Sequence, residues 1–184
     1  MRKFIFGIIA GLLVLALGGL TAATLGLLPT TADATPPPLE RRVATGALDA
    51  SMERHAARAS SPIPPTDENL IDGMKVYTMN CSMCHGALDN QPSPLEKSFY
   101  PPAPQLILDP LTDPEWHIYY AVRSGVRYTG MPAWNKTLSD EDTWKVTAFL
   151  ARIQTLSQGA RDYWKQSYGV DPPVAGSEKD EEKR

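Results

Sequence analysis

From Phe4 to Leu28 the chain carries no charged residue, and only beyond that run do polar and apolar positions begin to alternate. Those 25 residues would rise about 37 Å as a helix, enough to cross a hydrocarbon layer of about 30 Å with some tilt. Arg2 and Lys3 precede the run and favour a cytoplasmic start, an asymmetry weakened by Arg41 and Arg42. A cleaved signal peptide competes, because Ala32-Asp33-Ala34 imitates a small-residue cleavage site. Signal cores run to about 15 residues, and this run is longer, so residues 1–28 read as a retained transmembrane anchor.

Residues 29–65 read as a proline-rich linker, with Pro36-Pro37-Pro38 early and Pro62, Pro64 and Pro65 late. Such segments act as semi-rigid spacers. Inside it, Leu48, Met52 and His55 share one face of a possible short helix over 48–59 that would lie on lipid or on a partner, with His55 solvated. Helical periodicity returns at Thr66, a cap residue followed by Asp67 and Glu68 and then by Leu70, Ile71, Met74 and Tyr77. A second helix is signalled by Asp113 as cap, Pro114 at its first position and Gly125 beyond its end. A third begins at Ser139, carries Asp140, Glu141 and Asp142 in its first turn, turns Trp144, Ala148, Leu150 and Ile153 inward, and can end at Gly159. These signals place a compact domain over 66–158 and an extension over 159–184. In that extension Tyr163, Trp164 and Tyr168 could continue a helix, and the polar residues 176–184 are expected to be disordered.

Composition narrows the setting. With 184 residues, 42% of them hydrophobic, and a net charge of −3, the chain can build one modest domain and is not basic enough to seek nucleic acid. Between residues 66 and 157, 11 acidic side chains face 7 basic ones, a balance that gives no lysine-rich docking ring.

The chemistry is concentrated in Cys81-Ser82-Met83-Cys84-His85, which contains both cysteines of the chain. Cys-x-x-Cys-His is the attachment pattern of c-type haem: two thiols a helical turn apart reach the porphyrin and the adjacent imidazole reaches its iron. A redox dithiol would want a preceding strand, and none is signalled. A zinc site would need a fourth donor beyond these three crowded ones. Between this motif and the second helix lie Pro92, Pro94, Pro101, Pro102, Pro104 and Pro110, with no apolar periodicity longer than 106–108. Haem would supply the core that this loop lacks.

Met131, in Gly130-Met131-Pro132, is the candidate for the opposite face of the iron, because a thioether is a soft, uncharged donor and Pro132 keeps Met131 out of a helix. The competing reading is a methionine packed in a core turn. His117 is the rival ligand, but its place on the second helix suggests that it points to solvent. Met74, Met79 and Met83 are weaker candidates, Met83 bordering the haem. Arg123, Arg127 and Tyr128 could meet haem propionates or lie on the surface.

A helix with Gly73 and Tyr77, then Cys81 to His85, then Gly130-Met131-Pro132-Ala133-Trp134 and an aromatic C-terminal helix together resemble class I cytochrome c over residues 66–157. The resemblance implies an all-α fold around one covalent haem, first and last helices crossing near Gly73, aromatic packing from Tyr77 with Trp144 or Phe149, and a proline carbonyl from 101–104 on His85. It also implies His85 and Met131 as iron ligands, and Cys81 and Cys84 as the attachment sites. The expected function is a monohaem carrier of single electrons, not an enzyme, held to the bacterial inner membrane with its haem domain in the periplasm. Its partners would be a dehydrogenase, a quinol-oxidising complex or a terminal oxidase. The alternative is a permanent haem subunit of such a complex. A peroxidase or gas sensor would need an open iron position and nearby acid-base groups, which the residues around Met131 do not clearly offer.

Overall fold

The computed structural model describes residues 1–28 and 30–173, and within them helices and turns account for all regular structure. The expectation of disorder over 176–184 lies outside these residues. By contacts the chain divides into residues 1–35 and 36–184. The first unit holds α1 (Arg2–Thr24), whose mean hydropathy of 2.4 makes it long and apolar enough to cross a membrane. None of its side chains is buried against protein.

The second unit holds six α-helices: α2 (Pro38–His55), α3 (Asp67–Asn80), α4 (Ser82–His85), α5 (Glu115–Ser124), α6 (Asp140–Leu150) and α7 (Gln158–Tyr168). Local chemistry explains where they start. The Thr66 side chain accepts the Asn69 amide and the Ser139 side chain accepts the Asp142 amide, each satisfying a donor that the first helical turn leaves open. The start of α5 differs from the sequence reading. Pro114 occupies the cap, and the Asp113 carboxylate is used instead by the ring of His117 four residues on.

The core is the crossing of α3 and α6. Gly73 sits at the contact: a Cβ there would collide with the Lys145 carbonyl oxygen and come within 2.9 Å of Phe149 Cβ. Only a hydrogen at this position lets the two backbones meet. Tyr77 and Phe149, both fully buried, then pack edge to face at 5.7 Å and 67°, while Trp144 stacks on Tyr119 of α5. Of the two aromatic partners expected for Tyr77, Phe149 is the one that meets it. Beside this crossing, Asp72 accepts bonds from Lys75 and Lys145 at 3.0 and 3.1 Å.

Two segments read as peripheral belong to this unit. α6 ends at Leu150 and not near Gly159, because the chain turns and α7 begins at Gln158. Gly159 lies in the first turn of α7, packed on Asp67, whose carboxylate also accepts a bond from Ser157. Trp164 of α7 is fully buried against Phe149. The stretch read as a tether contains α2, whose Met52 and the following Ala56 are 8% exposed. Arg58 beyond it lies over the Trp116 ring at 5.3 Å. Only the apolar face around Met52 was legible. His55 is exposed, its Nδ1 donating to the Ser51 carbonyl, as a solvated helix residue does.

Gly73→Ala should lose about 1–3 kcal/mol of stability through overpacking. Gly46→Ala on α2, where nothing lies within 4 Å, should gain up to about 1 kcal/mol from helix propensity alone. Urea unfolding of the two variants measures the contrast. A second expectation concerns acid. Bonds from Lys75 and Lys145 hold the Asp72 carboxyl below its ordinary value of 3.8, so its contribution is complete above that pH and is lost as pH falls through the lowered value. Wild type should therefore lose stability more steeply than Asp72→Asn below about pH 3.8, as read by thermal unfolding across pH.

Candidate functional site

α3 delivers the chain to Cys81 at its C-cap, and α4 makes one further turn through Ser82, Met83, Cys84 and His85. Gly86 leaves that turn at φ 90°, a left-handed conformation that favours glycine. Three segments then hold the turn in place. The Tyr77 hydroxyl lies 3.0 Å from the His85 carbonyl and 2.8 Å from that of Gly86. The Leu106 amide donates to the His85 carbonyl at 3.0 Å. Gln105 donates to the Cys84 and Ala103 carbonyls while its side-chain oxygen accepts the Ser93 amide.

The His85 ring is fixed separately: its Nδ1 donates to the Pro104 carbonyl at 2.8 Å. A carbonyl can only accept, so Nδ1 carries the proton and Nε2 keeps its lone pair. Burial lowers the affinity of the ring for a second proton, partly opposed by the Pro104 bond. Pro104 is thus the proline of the 101–104 stretch whose carbonyl accepts from His85. The Cys81 thiol is pushed up to about 12 by burial, with the charge of Cys84 adding to the effect. That direction is opposite to the lowered value a dithiol redox centre needs.

Cys81, Cys84, His85 and Met131 all line one cavity of about 340 Å³. Its walls are almost wholly apolar, drawn from the proline loop, α5, the Met131 loop and Leu150 of α6. Met131 reaches it from a loop closed by its own bonds: the Val126 amide donates to the Met131 carbonyl at 3.1 Å, and the Met131 amide to the Thr129 hydroxyl at 3.0 Å. Two thiols, an imidazole with a free lone pair and a thioether around an apolar cavity form a donor set suited to haem. Among the described residues no three His, Cys, Asp or Glu side chains converge as a metal cluster, so the zinc reading finds no fourth donor.

Several sequence expectations need correction. His117 does not point to solvent: it lines the cavity, with its Nε2 buried and its Nδ1 donating to Asp113 at 2.7 Å. The apolar face of α5 runs through Ile118 and Val122, and one helical step brings His117 to its edge. Arg123 and Arg127 are not among the lining residues. Arg123 instead lies 3.9 Å from Asp140, and Tyr128 is 90% exposed. Met83 is 71% exposed and likewise absent from the lining, as is the fully buried Met74. Sequence reasoning also missed Leu48 and Met52 of α2 as cavity walls, Gln105 as a clamp and the hydroxyl of Tyr77. Gln105 had no signal, being an unremarked amide in a loop.

Removing the Tyr77 hydroxyl takes a donor from two carbonyls at the Cys-x-x-Cys-His turn. Tyr77→Phe should lose about 1–3 kcal/mol while keeping the ring packing on Phe149, as read by urea unfolding.

Comparison with known proteins follows the same outline. Residues 68–150 match the family described as Cytochrome C oxidase, cbb3-type, subunit III. No curated protein matches the chain. Among solved structures, the chain is similar to a chain of the reducing HAO-like protein complex of Kuenenia stuttgartiensis, at 22% identity and a TM-score of 0.41. That similarity covers 48% of this chain and 45% of the other, so it spans less than half of that structure. Over residues 68–150 the chain is thus similar to a family of c-type cytochromes, proteins that carry haem c.

Proposed function

We propose that this protein is a membrane-anchored cytochrome that carries one haem, bound covalently, and passes single electrons between redox proteins. The observation that carries the reading is the meeting of Cys81, Cys84, His85 and Met131 at one apolar cavity. Bound haem supplies a one-electron iron couple. The residues would supply the rest: Cys81 and Cys84 would hold the porphyrin by thioether bonds, and His85 Nε2 and the Met131 sulfur would be the donors to its iron. Thioether ligation favours the ferrous state relative to a second imidazole and so raises the potential. The Pro104 carbonyl keeps His85 in one tautomer and one orientation, and the apolar walls exclude water, so little has to rearrange between oxidation states.

In this reading α1 anchors the domain to the bacterial inner membrane, with the haem domain on the extracytoplasmic side. The apolar length of α1 supports it. Partners would be a dehydrogenase, a quinol-oxidising complex or a terminal oxidase. A permanent subunit of such a complex is the second reading, favoured by one observation: the matched family is described by an oxidase subunit. Gentle detergent extraction separates the two, since a free carrier emerges alone and a subunit retains stoichiometric company.

Mass spectrometry of the purified protein should give one covalent haem per chain, and redox titration should give a single one-electron wave. Met131→His should keep a six-coordinate centre but lower its potential, whereas Met131→Ala should let the reduced protein bind carbon monoxide rapidly. A wild-type potential in the low range of two imidazoles, or rapid carbon monoxide binding by wild type, would overturn Met131 as ligand.

A further inference from the structure

Helix α2 carries apolar residues on two opposite sides. Leu48 and Met52 line the cavity, so the face that the sequence suggested for lipid or a partner is already taken. Leu39, Val43, Gly46 and Ala50 recur at the spacing of a single helical stripe. At about 100° per residue, that stripe lies roughly half a turn away from Leu48 and Met52. It stands open: Leu39 is 72% and Val43 61% exposed, Ala50 is exposed, and a Cβ on Gly46 would meet nothing within 4 Å. Single exposed apolar side chains are ordinary on a protein surface. A leucine and a valine one turn apart, on the outer side of a helix whose inner side is used, form a face that no described residue covers.

The chain itself indicates what lies near that face. Leu28 closes the apolar run that contains α1, the helix long enough to cross a membrane, and Pro38 opens α2 ten residues later. Extended chain spans about 3.5 Å per residue at most, so α2 can start no farther than about 35 Å from the end of that run. A helix tethered so closely meets a bilayer surface at an effective concentration of about millimolar, and a weak contact then suffices. Arg42 and Arg54 border the stripe, about 60° to either side of Leu39. From there their stems can lie along acyl chains while the guanidinium groups reach phosphate. Of the carboxylates nearby, Glu53 is engaged by Arg58 at 2.8 Å, and Glu40 and Asp49 lie farther round the helix.

We propose that the outer face of α2 lies on the lipid surface of the membrane that α1 crosses, with Leu39 and Val43 seated among the headgroups and Arg42 and Arg54 paired with lipid phosphates. The proposal rests on the anchor reading of α1 and is independent of what fills the cavity. Its consequence is orientation. One helix touches lipid on one side and the cavity on the other, so a domain on a tether is held one way round and does not tumble. The wall formed by Leu48 and Met52 is then the side of the cavity turned to the bilayer. A second copy of the chain is the rival occupant, but two large side chains per chain are a small patch for a stable dimer. A tethered contact with lipid needs no such area.

The test uses the full chain, purified as it is made and placed in vesicles of phosphatidylethanolamine and phosphatidylglycerol. A phospholipid with a photoactivatable diazirine at the headgroup end of its acyl chain labels whatever lies at that depth, and mass spectrometry maps the labelled peptides. Wild type should carry label on the α2 peptide over 39–50 as well as on α1. Leu39→Ser combined with Val43→Ser, and separately Gly46→Glu, should lose the α2 label and keep that on α1. Both changes fall on open surface, so thermal unfolding of the domain should still be cooperative; if one variant does not accumulate, the other carries the same test. An α2 peptide without label in wild type, or with the same label in the variants, would overturn the proposal. So would α2-to-α2 cross-links that rise with the protein-to-lipid ratio while lipid label stays absent, which would give the face to a second copy. Label missing from α1 as well, or a mature chain whose mass lacks α1, would sink the anchor reading beneath the proposal, a separate failure seen in the same spectra.

Discussion

The contact at Gly73 is the constraint on which the rest of this domain depends. With no side chain there, the backbones of α3 and α6 meet, and Lys145 and Phe149 occupy the space that a Cβ would need. The consequence is positional. α3 ends at Cys81 and α6 ends at Leu150, and both residues are walls of the same cavity. The distance between two cavity walls is therefore set by a close approach elsewhere, at the crossing of α3 and α6. Interiors of this density transmit a displacement and do not absorb it, so a change at Gly73 would be felt where the chemistry is.

Polar bonds do what packing cannot. The proline loop between α4 and α5 has little regular backbone pairing of its own, yet it is tied to the Cys-x-x-Cys-His turn by Gln105, the Leu106 amide and the Pro104 carbonyl. Each contact fixes a different freedom: Gln105 the loop path, Leu106 the carbonyl of His85, Pro104 the plane and tautomer of its ring. Surrounded by apolar residues, such bonds are costly to break without replacement. Local order in this loop comes from serving the turn it covers.

Much of the fold was legible because its signals are local. The Thr66 and Ser139 caps, the acidic first turn of α6 and Gly125 after α5 act within a few residues of themselves, and the helices begin or end beside them. The candidate site was read for a different reason: a motif of five consecutive residues suggests a cofactor without reference to the fold, and the structure brings those residues to one cavity with Met131. What stayed hidden depended on side-chain contacts that neither a cap signal nor a helical wheel counts. Gly159 looks like a helix stop until Asp67, from the start of α3, packs on it. His117 looks solvated on a helical wheel that counts apolar neighbours. The Asp113 carboxylate, just before α5 begins, accepts from its Nδ1 at 2.7 Å and holds the ring.

The treatment of α2 follows from the same limit. Judged by composition, a proline-flanked segment with two adjacent arginines and few apolar residues resembles a spacer. Yet a helix buries what its face allows, and a narrow face suffices when the receiving surface is already built. Leu48 and Met52 lie four residues apart, one turn of one face, and both line the cavity. Ala56 and the Arg58 guanidinium over Trp116 continue the contact beyond the helix end. This wall comes from outside the segment that matches the cytochrome family, which begins at residue 68. Covering part of an apolar cavity with Met52 removes water from that side, and on the proposed haem reading a drier iron environment would favour the less charged ferrous state. On that reading the segment would act on the same quantity as Met131, by dielectric where the thioether would act by ligation.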